Sequence, residues 1–335
     1  MPQISIISTV FNGEQYLEEY FFGIENQTFT DFELILVDDG STDNSGLICE
    51  EHAKKDSRIQ VYHQANQGLA AARNNAFDHT AAEWITFIDC DDVVHPQYLE
   101  ILYRGVENKG VYISGAGVLE TEIIPSEYDV MTQIVWEIET VNDTFLTGNL
   151  CNSYFGHIAC GKLISRQIIK NHPFTLGRYF EDNALVPKWI YDSKVIAFYD
   201  GILYYYRINP TGISKSTTNI KEKIRDMLWA RDEVIEYYKA KGLTKAYSQA
   251  EKTYILFGVN LYFRMIKIDQ SCAKKIKALI LKRYRADKNK IDFSKENKKF
   301  IFELKHPFIM WLYWKICSKY IFAKKHVIDG EGKAR

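Results

Sequence analysis

The segment WITFIDCDD, residues 84–92, decides the fold of this chain. Its apolar, β-branched and aromatic residues predict a buried strand, and three carboxylates within four positions follow that strand. Like charges this close repel one another unless water or a cation compensates them, and Mg²⁺ or Mn²⁺ takes carboxylate oxygens and also chelates phosphates. The segment therefore predicts a metal and diphosphate site at a strand end. The alternative is that a carboxylate of this segment caps the following helix, predicted over 96–106. A cap needs only one carboxylate and does not explain three.

The chain before this segment alternates short apolar runs with helical patterns. Such alternation predicts a mainly parallel, Rossmann-like α/β sheet with helices on both faces. Ligands bind such sheets at the carboxyl ends of the strands, where Thr9, Asp39 and the three carboxylates fall. Taken singly, Thr9 is a strand end, Asp39 a turn residue and Arg73 a helix cation. The predicted strands are residues 4–10, 32–37, 59–62 and the strand that ends at Asp89.

Composition indicates an ordinary folded chain. With 335 residues, 46% hydrophobic and 25% charged, it can form a large core and two structural units. No secretory signal and no apolar run long enough for a membrane span are visible, which predicts a cytoplasmic protein. The six cysteines form no CxxC pair, so we expect free thiols rather than a zinc site or a disulfide framework.

Charge is distributed unevenly along the chain. Residues 1–263 carry a net charge of −14, whereas residues 264–325, the basic arm, carry +13. Such an arm can meet nucleic acid, an acidic partner or an anionic membrane. No nucleic-acid motif accompanies the lysines, and the acidic body would repel such a partner. Aromatic residues between the lysines, such as Trp311 and Trp314, suit the inner face of a membrane, and a helical bundle packed on the rest of the protein stays open as an alternative.

Four motifs that follow one another along the chain resemble those of a known family. They are STVFN at 8–12, VDDGSTD at 37–43, NQG at 66–68 with ARN at 72–74, and DCDD at 89–92. In this order and spacing they resemble family 2 of the inverting, nucleotide-sugar-dependent glycosyltransferases with the GT-A fold, over about residues 1–215.

The resemblance implies roles for individual residues. The donor nucleotide would be UDP, as in a UDP-hexose or UDP-N-acetylhexosamine, and the enzyme would depend on Mg²⁺ or Mn²⁺. Asp89 is then the first Asp of a DXD motif, and Asp91 binds the metal on the donor diphosphate. The resemblance further implies that Thr9, Phe11 and Asp39 hold the base and ribose, with Arg73 beside the nucleotide.

A second acid pair, Glu181-Asp182, stands at a predicted helix start. By itself Asp182 is typical of a helix N-cap, whereas the resemblance implies that it is the catalytic base. Further on, residues 195–199 and 202–207 are predicted as two strands of a hairpin around Asp200-Gly201. Arg207 and Lys215, in and after that hairpin, are candidates to neutralise the leaving diphosphate.

The expected protein is a hexosyltransferase acting on a glycan or lipid-linked glycan, as in surface polysaccharide synthesis. A dehydrogenase of similar fold would need GxGxxG after its first strand, and only Gly13 stands there. A non-catalytic sugar-binding or scaffolding module stays open as an alternative, although both acid groups argue against it. The sugar, acceptor, linkage and oligomeric state are left open. We expect a catalytic domain at 1–218, with a donor half at 1–110 and an acceptor half at 111–218, a helical basic region at 219–325 and a tail at 326–335.

Overall fold

The computed structural model describes residues 1–108, 110–148, 151, 153–210, 212–213, 217–287, 291, 301–302 and 304–306. Contacts divide the chain into two compact units, Met1–Tyr247 and Ser248–Arg335. Lys215 and most of the aromatic residues of the basic arm lie outside the described residues.

Strands and helices alternate through the first unit. The strands are β1 Ile4–Val10, β2 Phe32–Asp38, β3 Ile59–His63, β4 Trp84–Phe87, β5 Val93–Val94, β6 Ile113–Thr121, β7 Glu137–Thr140, β8 Lys162–Ser165 and β9 Val195–Arg207. The helices are α1 Glu14–Glu25, α2 Ser45–Lys55, α3 Leu69–His79, α4 Tyr98–Val106, α5 Tyr154–His157, α6 Arg166–Asn171, α7 Glu181–Ser193 and α8 Ile220–Ala240, with a 3₁₀ turn at Phe145–Thr147. Further along the chain follow α9 Thr244–Met265 and α10 Gln270–Asp287.

One mixed sheet organises the first unit. Its strands lie in the order β3-β2-β1-β4-β8-β6-β9-β5, and β7 pairs with β9. The neighbours β3, β2, β1 and β4 are parallel, and β6 is parallel to β9, whereas β8 runs antiparallel to both β4 and β6. Every residue of β1 and β2 is buried, which is why these strands show no alternation of polar and apolar residues. The predicted α/β fold is confirmed.

The strand register brings three loops to one edge of the sheet. Thr9 pairs with Val37 across β1 and β2, and Ile7 pairs with Phe87 across β1 and β4. The loops that follow β1, β2 and β4 therefore emerge side by side. Helix α7 reaches the same region because an aromatic cluster joins it to β4, with ring centroids 5.2 Å apart for Phe87–Phe174 and 5.5 Å apart for Phe174–Trp189.

The predicted hairpin around Asp200-Gly201 is wrong. Residues 195–207 form the single strand β9, which pairs in parallel with β6 on both sides of Asp200-Gly201, from Ile196 to Arg207. The register shifts where Asp200-Gly201 lies, so the dipeptide makes a bulge instead of reversing the chain. A Cβ at Gly201 would lie 2.2 Å from the Tyr199 ring, so a larger residue in the bulge would require that ring to move.

The first compact unit extends beyond residue 218, where the sequence placed the end of the catalytic domain. Helix α8 is joined to the segment around α7 by ion pairs, with Arg178 Nη1 2.8 Å from Asp226 Oδ1 and Lys188 Nζ 3.0 Å from Glu233 Oε2. The extent of the catalytic domain stays a prediction, but α8 belongs to the same compact unit as the sheet.

The second unit contains most of α9 and the whole of α10. Arg283 donates to both carboxylate oxygens of Glu251, at 2.6 and 2.9 Å, and a Cβ at Gly258 would lie 2.1 Å from Ile280, so the helices pack closely. Among the helices of the described residues, none has the length and hydropathy needed to span a bilayer. The cysteines within the described residues are free thiols, as expected.

Candidate active site

The carboxylate of Asp39 holds the glycine loop that precedes α3. It accepts hydrogen bonds from Gln64 Nε2 at 2.7 Å and from the backbone N–H groups of Gln67 and Gly68, both at 2.8 Å. Asp39 is only 4% exposed, so its main contacts lie within the protein. Its predicted contact with the nucleoside stays a prediction, and the structure adds that Asp39 shapes the loop around that position.

The loops after β1 and β2 are tied to each other. Asn12 Oδ1 accepts the N–H of Thr42 at 2.7 Å, and the N–H of Asn12 donates to Ser41 Oγ at 3.0 Å. Asn12 has a φ of +52°, a conformation that Asn tolerates better than most residues. Thr9 is buried, whereas Phe11, two positions later, is 51% exposed and can present its ring to a ligand at the sheet edge.

The three carboxylates after β4 have separate partners. Asp89 Oδ1 accepts from Arg73 Nη2 at 2.7 Å, and Asp89 Oδ2 lies 3.5 Å from Cys160 Sγ. Asp92 is buried, and its carboxylate accepts the Tyr204 hydroxyl at 2.6 Å and the N–H of Arg207 at 2.8 Å. Burial raises the pKa of Asp92 well above its usual range. Asp92 is thus a structural anchor between the loop and β9, a role that the sequence did not indicate.

Asp91 lies between Asp89 and Asp92 in the sequence and is half-buried. Its Oδ2 accepts from Asn209 Nδ2 at 3.0 Å, and burial raises its pKa. Arg207 lies against the same residue, because its Nε donates to the Asp91 carbonyl at 2.7 Å. The Arg207 guanidinium also pairs with Glu19 and stacks on the Tyr16 ring at 5.3 Å. Arg207 therefore reaches the predicted diphosphate site, and Asn209 is a neighbour that the sequence did not single out.

This arrangement fits a divalent cation that is held partly by substrate. Among the described residues, no three His, Cys, Asp or Glu side chains converge into a complete metal site. Mg²⁺ and similar ions bind nucleotides with one or two carboxylates, several waters and the phosphates themselves. Asp91 suits this role because it is half-buried near other carboxylates, so a cation would relieve its unfavourable environment.

The second acid pair opens α7. Phe180 is the N-cap residue and has a φ of +57°, so the N-cap interpretation of Asp182 is wrong. Glu181 is 3% exposed, and burial raises its pKa to about 7, against the effect of Arg73. Asp182 is half-buried, and its Oδ1 accepts from Asn183 Nδ2 at 2.9 Å.

Arg73 links the two acidic groups. Its Nη1 donates to Glu181 Oε1 at 3.0 Å, and its Nη2 donates to Asp89 Oδ1 at 2.7 Å. The guanidinium is 4% exposed and lies 5.3 Å from the centroid of the Phe174 ring. Burial works against its charge, but the carboxylates of Asp89 and Glu181 together hold the pKa of Arg73 above its usual value. The guanidinium therefore brings the DCDD loop and the start of α7 to one place.

Lys162 is a buried lysine near this site that the sequence did not single out. It is 1% exposed, and its Nζ donates to the carbonyls of Ile158 at 2.7 Å and Cys160 at 3.0 Å. Burial lowers its pKa to about 7. The hydrogen bonds shape the turn before β8, which places Cys160 against Asp89.

Comparison with known proteins agrees with this geometry. The model of the family described as Glycosyl transferase family 2 matches residues 5–172. Glycosyltransferase GlyG of Streptococcus pneumoniae is 32% identical over 248 residues, which cover 71% of this chain and 79% of that protein.

Two solved structures share the fold. S. aureus TarS 1–349 in complex with UDP-GlcNAc superposes with a TM-score of 0.58 at 17% identity, over 85% of both chains. The mannosyltransferase PcManGT from Pyrobaculum calidifontis, in complex with GDP-Man and Mn²⁺, superposes with a TM-score of 0.56 at 14% identity, over 92% of this chain and 83% of that one. At these identities the likeness shows the fold alone, which is GT-A.

Proposed function

Because the chain belongs to glycosyl transferase family 2, we propose that it moves a hexose or N-acetylhexosamine, with inversion, from a UDP-sugar to a hydroxyl of a glycan or lipid-linked glycan. One observation carries this proposal. Arg73 joins the DCDD loop, which follows a strand end, to the acidic turn that contains Asp182. This contact supports a site in which carboxylates for a donor diphosphate and a proton acceptor would lie at the same edge of the sheet.

The donor would lie across the loops after β1, β2 and β4. Phe11 offers an exposed ring for the base, while Thr9 and the loop held by Asp39 line the nucleoside side. Arg207 lies beside Asp91 and would face the diphosphate. The choice of UDP is supported by the family resemblance and by TarS, which binds UDP-GlcNAc, although PcManGT binds GDP-Man.

The reaction would use Asp182 as general base. Its carboxylate takes the proton from the acceptor hydroxyl while that oxygen attacks the anomeric carbon from the face opposite the diphosphate. A divalent cation held by Asp91 and the donor phosphates would neutralise the charge that develops on the leaving nucleoside diphosphate. An α-linked donor would therefore yield a β-linked product. Arg207 adds a second positive charge beside the leaving group.

Ligand binding tests the donor proposal. Nucleotide sugars are screened by thermal shift with Mn²⁺ and again with EDTA. A donor at 100 times its Kd should stabilise the protein by roughly 2.7 kcal/mol, and the shift should shrink in EDTA. Stabilisation by GDP-sugars instead of UDP-sugars would overturn the choice of base, and an equal shift in EDTA would overturn the metal role.

Transfer assays test the residues. Asp182→Asn should lower kcat by about 10²-fold or more while donor affinity stays nearly unchanged, because shape is kept and the proton acceptor is lost. Asp91→Asn should lower both metal-dependent donor binding and transfer. The matched control is Asp31→Asn, an exposed residue before β2, at the opposite edge of the sheet. If Asp182→Asn retains the wild-type rate, Asp182 is not the base, and absence of transfer from every donor would favour the non-catalytic alternative.

We also propose that the protein works at the inner face of a membrane, where a lipid-linked acceptor would lie. Within the basic arm, the described helix α10 exposes Lys274, Lys275, Lys282 and Arg285 along one face, with Leu279 39% exposed among them. The turn before α10 adds exposed Ile268. Cations interspersed with apolar side chains suit an anionic bilayer.

Vesicle binding tests the membrane proposal with the full chain. Each cation near an anionic surface contributes about 1 kcal/mol to binding. Replacing Lys274, Lys275 and Lys282 by Glu should therefore weaken binding of the protein to anionic vesicles by at least about 10²-fold at low salt. The matched control reverses three exposed lysines of the first unit, Lys54, Lys55 and Lys239. Equal binding by the α10 variant and the control would show that α10 is not the membrane surface.

A further inference from the structure

We propose that Arg73 is a positioning residue that sets the distance and angle between the donor loop after β4 and the base-bearing turn of α7. The inference rests on the proposed function, in which the DCDD loop serves the donor and Asp182 is the base. Arg73 contacts Asp89, 16 positions away, and Glu181, 108 positions away. Arg73 therefore joins the loop that contains Asp89 to the turn that contains Glu181, two segments that are far apart in the sequence.

The geometry of the contact suits this role. Two different guanidinium nitrogens are used, Nη2 for Asp89 at 2.7 Å and Nη1 for Glu181 at 3.0 Å. A planar fork that bonds in two directions defines an angle as well as a distance, which the single point charge of a lysine does not. The rings of Phe174 and Phe87, with centroids 5.3 and 5.9 Å from the guanidinium carbon, further restrict its movement.

The turn that carries Asp182 depends on such support. Phe180 adopts a left-handed conformation with φ of +57°, which costs energy for a residue with a large side chain and persists only when the surroundings hold it. Glu181, the next residue, is 3% exposed and is held by Arg73. Because Asp182 follows directly, movement of Glu181 would carry the base away from the acceptor. A displacement of about 1 Å in such a site can lower the rate by about 10²-fold.

The test separates kcat from donor affinity. Arg73→Lys should lower kcat by about 10²-fold while the donor Kd, measured by calorimetry, changes by less than about threefold. The matched control is Arg166→Lys. Arg166 also lies over a phenylalanine ring, Phe77 at 4.8 Å, and donates to the Thr80 carbonyl at 2.8 Å, but at the opposite edge of the sheet. The control should change neither quantity.

A milder variant covers the case in which Arg73→Lys does not fold. Glu181→Gln keeps the shape and an acceptor oxygen for Arg73 but removes the charge, so kcat should fall by about tenfold with donor Kd unchanged. If the two residues act as one unit, the double variant should be no slower than Arg73→Lys alone. Melting temperatures measured in parallel separate loss of fold from loss of alignment.

Opposite results would overturn the inference. A donor Kd raised more than about tenfold with kcat unchanged would make Arg73 a donor ligand, and effects that multiply in the double variant would mean that the residues act independently. Failure of the proposed function looks different. In that case Asp182→Asn keeps the wild-type rate, whereas failure of this inference alone leaves the kcat of Asp182→Asn lowered by about 10²-fold or more and that of Arg73→Lys unchanged.

Discussion

Replacing Lys162 by methionine should change how the stability of the protein depends on pH. Lys162 is 1% exposed, and its ammonium lies 4.9 Å from the centroid of the Phe155 ring. Burial lowers its pKa from 10.5 to about 7, although hydrogen bonds to two carbonyls favour the charged form. The folded protein therefore binds this proton more weakly than the unfolded chain does.

The sign and size of the effect follow from this difference. The unfolded chain holds more protons than the folded one between about pH 7 and 10.5, so the contribution of Lys162 to stability rises with pH over that range. At 1.36 kcal/mol per pKa unit, the free energy of unfolding should gain roughly 2–3 kcal/mol between about pH 7.5 and 9.5. Methionine removes this gain but leaves two carbonyls without their donor, at a cost of about 1–3 kcal/mol each. At any single pH, the relief from burying the amine and the cost of the two unpaired carbonyls oppose each other. The diagnostic quantity is therefore how the difference in unfolding free energy between wild type and Lys162→Met changes with pH.

Urea unfolding followed by tryptophan fluorescence, at three pH values across that range, measures the change. The thiol of Cys49, whose pKa burial raises to about 12, does not interact with Lys162, so its titration cancels in the difference between wild type and Lys162→Met. The control is Lys239→Met, since the Lys239 side chain is 61% exposed. If the difference between wild type and Lys162→Met stays constant within about 0.5 kcal/mol, Lys162 does not carry the cost of burial that this reasoning assigns to it.

Three further substitutions test the loops of the site. Tyr204→Phe removes the hydroxyl bound to buried Asp92 at 2.6 Å and should cost about 1–3 kcal/mol of stability by urea unfolding, whereas an unchanged midpoint would contradict the anchoring role. Gly40→Ala should destabilise by roughly 1–3 kcal/mol, because φ is +77° and the new Cβ would lie 2.8 Å from a backbone nitrogen; a neutral result would mean that the loop relaxes freely. Asn209→Ala frees Asp91 Oδ2 from its 3.0 Å hydrogen bond and should alter the Mn²⁺ concentration needed for half-maximal donor binding, while an unchanged titration would place Asn209 outside the metal site.

The sequence by itself determined the sheet and the edge at which we propose the active site. Short apolar runs that alternate with helical patterns predicted a mainly parallel sheet with helices on both faces, and its strands β1 and β2 are buried at every residue. Carboxylates after β2 and β4 predicted the edge at which ligands bind, and the register brings those loops together. These features depend on local periodicity and on the rule that parallel strands end at one edge, so spacing along the chain is sufficient to find them.

The tertiary structure alone decided what each charged side chain does. Without the family resemblance, the residue pattern does not distinguish the three carboxylates, whereas in the structure Asp89 pairs with Arg73, Asp92 anchors β9, and Asp91 accepts a hydrogen bond from Asn209. The partner of Glu181 is likewise Arg73, 108 positions earlier. Hydrogen bonds and ion pairs act over about 3 Å in space and are independent of separation in sequence, so no local pattern could predict these partners. The bulge in β9 also depends on contacts that are distant in sequence. Asp200-Gly201 favours a hairpin locally, but β9 pairs with β6 on both sides of this dipeptide, so the strand continues in the same direction.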